Sequence, residues 1–263
     1  FVLSFCFCAI TIIQSRASFI AIGLIVISYF IVNIVIYLRV RKKRTQFLEL
    51  LYILVPLILS LLINQAVLSE KGADVFERAS TIKLNTTEGS INQRLRYYED
   101  VLTHMSSNPI LGVGLGNWKL KSIDYDSKDI IGYVVPYHAH SDFIQLGAEL
   151  GIVGFLLYLS IFILALCYVY ILIRFSDLQL DQKVFLFLLL TTLGVYSIDA
   201  NLNFPIARPQ VLVIWAFILA AILVFYQNYY KNNILKLKPN KLVNTSFLLN
   251  GTTPDLNVTY DNA

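Results

Sequence analysis

An all-α membrane protein that crosses the bilayer several times is the fold class this sequence predicts, and three observations carry the prediction. Hydrophobic residues make up 57% of the chain and charged ones only 14%, against roughly 25% charged in soluble domains, and mean hydropathy is +0.65. The apolar residues fall in runs of about 20, the length a helix needs to cross roughly 30 Å of hydrocarbon. Lysines and arginines gather beside those runs instead of forming a stripe for nucleic-acid phosphates, so the formal charge of +4 is a topology signal.

Taken in order, residues 1–13 are too short to span and are expected to be the outer end of a truncated helix. Gln14-Ser15-Arg16-Ala17 is a brief polar interruption that leaves Arg16 at or just below the membrane surface. Residues 18–40 form the first full span. Arg39, Arg41, Lys42, Lys43 and Arg44 come next, the densest positive cluster in the chain, and the positive-inside rule makes that loop cytoplasmic. Alternation fixes the rest. Residues 47–66 run outward with a kink expected at Pro56, residues 67–142 are external, and 143–174 return as one helix. Residues 184–198 run out, 199–210 form a second outer loop, and 211–229 come back to meet Lys231, Lys236, Lys238 and Lys241. The expectation is therefore about five full spans plus the truncated one. It divides the chain into helices (1–66), an external loop domain (67–142), helices (143–230) and a flexible cytoplasmic tail (231–263). Cys6, Cys8 and Cys167 lie in apolar segments and are expected to be buried small hydrophobes, not a disulfide or zinc framework.

The external loop has structure of its own. Ser90 and Gln93 have capping-box spacing. Ile91, Leu95, Tyr98, Leu102 and Met105 recur at helical spacing as the expected packed stripe, with Arg94 on its edge and Arg96 and His104 in solvent. Ser106-Ser107-Asn108-Pro109 stops the helix. The glycine run from Gly112 to Gly116 lacks the strand before it and the helix after it that a nucleotide fingerprint requires, so it predicts a tight turn.

At residues 136–154 ionisable side chains run straight into an apolar segment. His138-Ala139-His140-Ser141-Asp142 admits a metal site, since two imidazoles and a carboxylate can ligate zinc. It equally admits a general base, since histidine takes a proton near neutral pH. The plainer alternative is two histidines at a wet helix start, with Asp142 favoured by the helix dipole. Asp142, Gln145 and Glu149 share one helical face, while Gly147, Gly151 and Gly154 offer a small surface for helix packing. A carboxylate there needs a polar cavity or a basic partner; Arg16 and Arg208 are available on the same side, so Glu149 is also a candidate for a structural ion pair.

The ordered set of segments resembles the O-antigen ligase and O-antigen polymerase family of membrane proteins. The features that match are Ser15-Arg16-Ala17 opening a transmembrane helix and Arg94-Leu-Arg-Tyr-Tyr98 in a large outer loop. Asn108-Pro-Ile-Leu-Gly-Val-Gly-Leu-Gly-Asn-Trp118 and His138-Ala-His-Ser-Asp142 through Glu149-Leu-Gly-Ile-Val-Gly154 follow in the family's order. Ser141 stands where the family usually has Asn, and Asn203-Phe204-Pro205 with Arg208-Pro209 looks like a feature of some relatives only. The resemblance implies a glycosyltransferase in the bacterial inner membrane. It would move a glycan from undecaprenyl diphosphate to an acceptor hydroxyl at the periplasmic face, on lipid A core or on another lipid-linked glycan, without a bound metal or other cofactor. His140 would be the base, and Arg16 and Arg94 would bind the leaving diphosphate. His138, Ser141, Asp142 and Arg208 would contact substrate, and Glu149 would brace an arginine. Two other classes stay open from the residues alone. One is a transporter or channel for an anionic solute using Arg16 and Arg208; the other is a metal-dependent hydrolase built on His138, His140 and Asp142.

Overall fold

The computed structural model describes residues 2–12, 15–40, 46–69, 90–125 and 138–249. The side chains of Arg16, Ser90 and Ile91 and the basic cluster at residues 41–44 lie outside the described residues. The helices are α1 (Val2–Ile12), α2 (Arg16–Val40), α3 (Gln46–Ser69), α4 (Ser90–Ser107), α5 (Trp118–Lys121) running into a 3-10 turn, α6 (Asp142–Phe175), α7 (Leu180–Leu202) and α8 (Pro209–Leu249). No strand occurs among the described residues.

Four stretches, Ala17–Arg39, Asp142–Phe175, Leu180–Leu202 and Pro209–Asn233, are long and apolar enough to cross a membrane, and Tyr52–Ala66 of α3 is a shorter apolar helix. Their outer faces expose residues such as Leu38, Val213 and Phe217, which together form an apolar belt that water does not tolerate and lipid requires. The chain is a multi-pass, all-α membrane protein. Cys6 and Cys167, expected to be buried, belong to that outward surface, because sequence alone shows an apolar helix but not which side of it meets protein.

Packing is organised on α6, α7 and α8. Ala165, Val169 and Leu172 of α6 interlock with Leu186, Leu189 and Leu193 of α7 and with Ile218 and Ile222 of α8. The helix α2 lies against α7, and α1 lies against α3. Thr191 donates to Ser28 Oγ at 3.1 Å, which satisfies two hydroxyls between α2 and α7 where no water would reach them.

The largest departure from expectation is in α6, read from sequence as one straight helix over 143–174. Gly151 adopts φ 68°, ψ −167°, a conformation essentially restricted to glycine, and the helix folds back there. The Phe143 ring lies 4.8 Å from that of Tyr158 and 5.3 Å from that of Phe162, whereas a straight helix would separate those residues by about 22 and 28 Å. Residues 152–175 supply about 36 Å of helix, enough to span, while 142–150 form a separate arm packed over α7 and the start of α8. Two boundaries also move: α7 runs on to Leu202, so the loop expected over 199–210 shrinks to 203–208, and α8 continues to Leu249, past the expected boundary at 231. Pro56 lies inside α3.

The loop helix α4 packs on the first arm of α6, but with a different face from the expected one. Tyr97, Val101 and His104 are buried, whereas Leu95 and Leu102 are exposed, a rotation of about one residue around the helix. His104, expected in solvent, is only 1% exposed. Its Nδ1 pairs with the Tyr125 hydroxyl at 3.1 Å, and its ring meets that of Trp118. Burial and the nearby Lys121 both hold its pKa below the ordinary imidazole value. Arg96, also expected in solvent, is half-buried.

Candidate functional site

The fold-back at Gly151 frees backbone groups that a continuous helix would pair, and the glycine loop takes them up. Val113 N–H donates to Ala148 O at 3.1 Å, Gly114 N–H to Glu149 O at 2.8 Å, and Ile152 N–H donates to Pro109 O at 2.9 Å. Contact is so close that a Cβ on Gly112 would strike the Ala148 carbonyl, and one on Gly151 the Ile110 carbonyl. The expected tight turn therefore exists, and its work is to seat the break in α6.

Glu149 joins the same assembly. It is 3% exposed; its Oε2 accepts from Gly116 N–H at 2.8 Å and its Oε1 from Gln145 Nε2 at 3.1 Å. No arginine meets the Glu149 carboxylate among the described residues, which do not include the Arg16 side chain. Gln145 Oε1 then accepts from Ala139 N–H at 3.2 Å and faces His138 Nδ1 at 3.3 Å. That amide oxygen can only accept, so the His138 Nδ1 facing it is the donor. A chain of contacts thus runs from the glycine loop to the junction histidines. Glu149→Gln would set an amide N–H against one of two donors, and it is expected to cost about 1–3 kcal/mol, read as a lower thermal midpoint in detergent.

His140 lies at the centre. Its φ of 54° is left-handed, uncommon for a non-glycine residue and often seen where a site imposes it. The Tyr98 hydroxyl lies 3.2 Å from the His140 carbonyl and 3.1 Å from that of Asn201, tying α4, the junction and the end of α7. The imidazole stacks on Tyr97 and meets Phe204 edge-on. Its Nδ1 is buried without a hydrogen-bond partner among the described residues. Burial, then the charges of Arg94 and His138, depress its pKa below the ordinary value.

Phe204 is the hub that sequence reasoning missed. His138 stacks on its ring at 4.1 Å, His140 abuts it, and the Arg208 guanidinium carbon lies 5.3 Å from its centroid. Arg208 is also 3.7 Å from Asp199. The one available signal was an aromatic residue between Asn203 and Pro205 in a short turn between α7 and α8. Arg94 is half-buried on α4, close enough for its charge to act on both Tyr98 and His140.

The remaining site residues expected from sequence divide. Position 16 opens α2, and its neighbours Ser15, Ala17 and Ser18 line a cavity of about 530 Å³ together with Tyr196, Asp199 and Arg208. Ser141 is the N-cap of α6, its Oγ accepting from Ile144 N–H at 3.4 Å, and is buried. Asp142 is 1% exposed and its Oδ2 accepts from Ile206 N–H at 2.9 Å. Both pin the junction to its supports, where substrate contacts were expected. The three-residue metal set does not converge: His138 faces Gln145, Asp142 faces Ile206, and no cluster of three candidate ligands occurs among the described residues.

In comparison with known proteins, residues 1–159 match the family model described as O-antigen ligase. No curated protein and no solved structure matches the chain. The matched region holds Arg94, the glycine loop, both junction histidines and the break at Gly151, while Phe204 and Arg208 lie beyond it. This multi-pass chain belongs to the O-antigen ligase family, with the glycosyltransferase-like role in O-antigen assembly that membership carries.

Proposed function

We propose that the chain transfers a glycan from undecaprenyl diphosphate to a saccharide hydroxyl at the periplasmic face of the bacterial inner membrane, using lipid A core or another lipid-linked glycan as acceptor. The observation that carries this reading is the grouping of His140, His138 and Arg208 around Phe204, with Arg94 beside His140. The cavity flanking position 16 opens next to it.

In the proposed step His140 Nε2 takes the proton of the acceptor hydroxyl as its oxygen bonds to the anomeric carbon of the donor. The bond from that carbon to the diphosphate oxygen breaks, and its electron pair leaves with the diphosphate. Arg94, Arg16 and Arg208 offset the charge that grows there; guanidinium forks match phosphate oxygens and gain most where charge develops in the transition state. His138 orients the acceptor hydroxyl.

The test is transfer from a synthetic polyprenyl-diphosphate glycan by the protein in nanodiscs. Acceptor-dependent product with equal release of polyprenyl diphosphate supports the reading, and acceptor-independent release of free glycan contradicts it. The acceptor is read in a deletion strain: polymer accumulating on the lipid carrier with bare core marks a ligase, and single repeat units on the core mark a polymerase. Because a base must be unprotonated and the His140 pKa lies below the ordinary 6.5, transfer is expected to fall only as pH drops below about 6.5. A rate profile in pH checks it.

A further inference from the structure

We propose that the slot between α2 and α7 at the end opposite the candidate site binds one anionic phospholipid of the cytoplasmic leaflet, with an acyl chain in the slot and the phosphate at Arg39 and Lys183. Ser28 and Thr191 make a polar contact between the two helices. Below it they part and leave a cavity of about 260 Å³ walled by Ile31, Val35, Leu178 and Phe187, with Arg39 and Lys183 also lining it. The two cations lie eleven and eight residues beyond the Ser28 and Thr191 contact, about 16 and 12 Å along their helices, and so reach one level at the membrane edge.

Three features select the occupant. The walls are apolar, and Ile31 and Val35 are exposed on the lipid side, so a hydrocarbon chain can enter from the bilayer without crossing water. Arg39 is exposed, and no carboxylate pairs with it or with Lys183 among the described residues. Lys183 gives one N–H to the Ser176 carbonyl at 3.1 Å, which fixes the ammonium at the mouth with two donors left for another acceptor. Basic pockets between transmembrane helices on the cytoplasmic side are where anionic head groups bind, and the sequence places Arg41, Lys42, Lys43 and Arg44 directly after Arg39. A zwitterionic lipid would bring its own cation against these two. The slot lies apart from the glycan site and needs neither His140 nor Arg94.

Native mass spectrometry of the protein in detergent, titrated with phosphatidylglycerol or phosphatidylcholine, tests the proposal. Wild type is expected to hold one phosphatidylglycerol selectively. Arg39→Gln with Lys183→Gln should weaken that binding about 25-fold, at roughly 5-fold for each cation. Val35→Trp fills the slot without touching charge and should displace the lipid equally well. Arg174→Gln, at an exposed cation on the same end that does not line the slot, should leave it in place. Equal retention of phosphatidylcholine overturns the proposal. So does lipid that survives Val35→Trp, because the cations would then act only as surface charge. Lys183→Gln also removes the bond to Ser176, so Arg39→Gln alone, on a side chain without such a bond, must still weaken binding.

Discussion

Replacing His140 with alanine is expected to lower glycan transfer about 10²–10⁴-fold, the usual contribution of a positioned general base, while the protein still inserts and purifies. The expectation rests on position. His140 meets Tyr97, Phe204 and the Tyr98 hydroxyl, and each contact holds the imidazole where Arg94 acts on it. Alanine at φ 54° carries a backbone cost that could be mistaken for lost chemistry, so His140→Asn is the companion variant. Asparagine tolerates the left-handed region and cannot serve as the base. Both should lose transfer to a similar degree, the asparagine variant with a thermal midpoint close to wild type. A stable Asn variant that keeps its rate would remove His140 from the reaction.

Gly151→Ala is expected to do comparable damage by another route. The conformation costs roughly 1–3 kcal/mol for any residue with a side chain, and the added Cβ strikes the Ile110 carbonyl, which cannot retreat without releasing the bond from Ile152 to Pro109. The glycine loop should detach from α6, and Glu149, Gln145 and His138 lose their alignment in turn. Folded yield and transfer should both fall more than tenfold, since 1.4 kcal/mol is already a factor of ten. Gly23→Ala is the control: nothing lies within 4 Å of its added Cβ, and alanine favours a helix interior over glycine by roughly 0.5–1 kcal/mol.

The contrast between those two glycines shows what was legible in the sequence. Helix positions were, because the bilayer imposes a length and an apolarity that each span must declare within its own residues. The break at Gly151 was not. Glycine in an apolar run looks like a helix-packing residue, and only the loop some forty residues earlier, by supplying Val113 and Gly114 as donors, makes a fold-back possible. The Gly116 contact of Glu149 was hidden for the same reason: it is made by a backbone N–H, and backbone groups leave no mark in composition. On α4 the apolar stripe pointed to Leu95 and Leu102, yet the buried face is Tyr97, Val101 and His104, chosen by Trp118, Ala139 and Ala148. The two histidines and the arginines were visible as chemistry, whereas Phe204, the ring on which His138, His140 and Arg208 meet, gave no chemical signal.

The central claim is that His140 is a base whose proton affinity is set partly by Arg94, and the pH profile of transfer by Arg94→Gln compared with wild type tests it most directly. Removing a positive charge makes protonation easier, so the His140 pKa rises and its acid limb moves to higher pH. The account predicts that upward shift together with a lower plateau rate, since the diphosphate loses a partner. A lower plateau with an unmoved acid limb would contradict it, leaving Arg94 as a diphosphate ligand with no hold on the base.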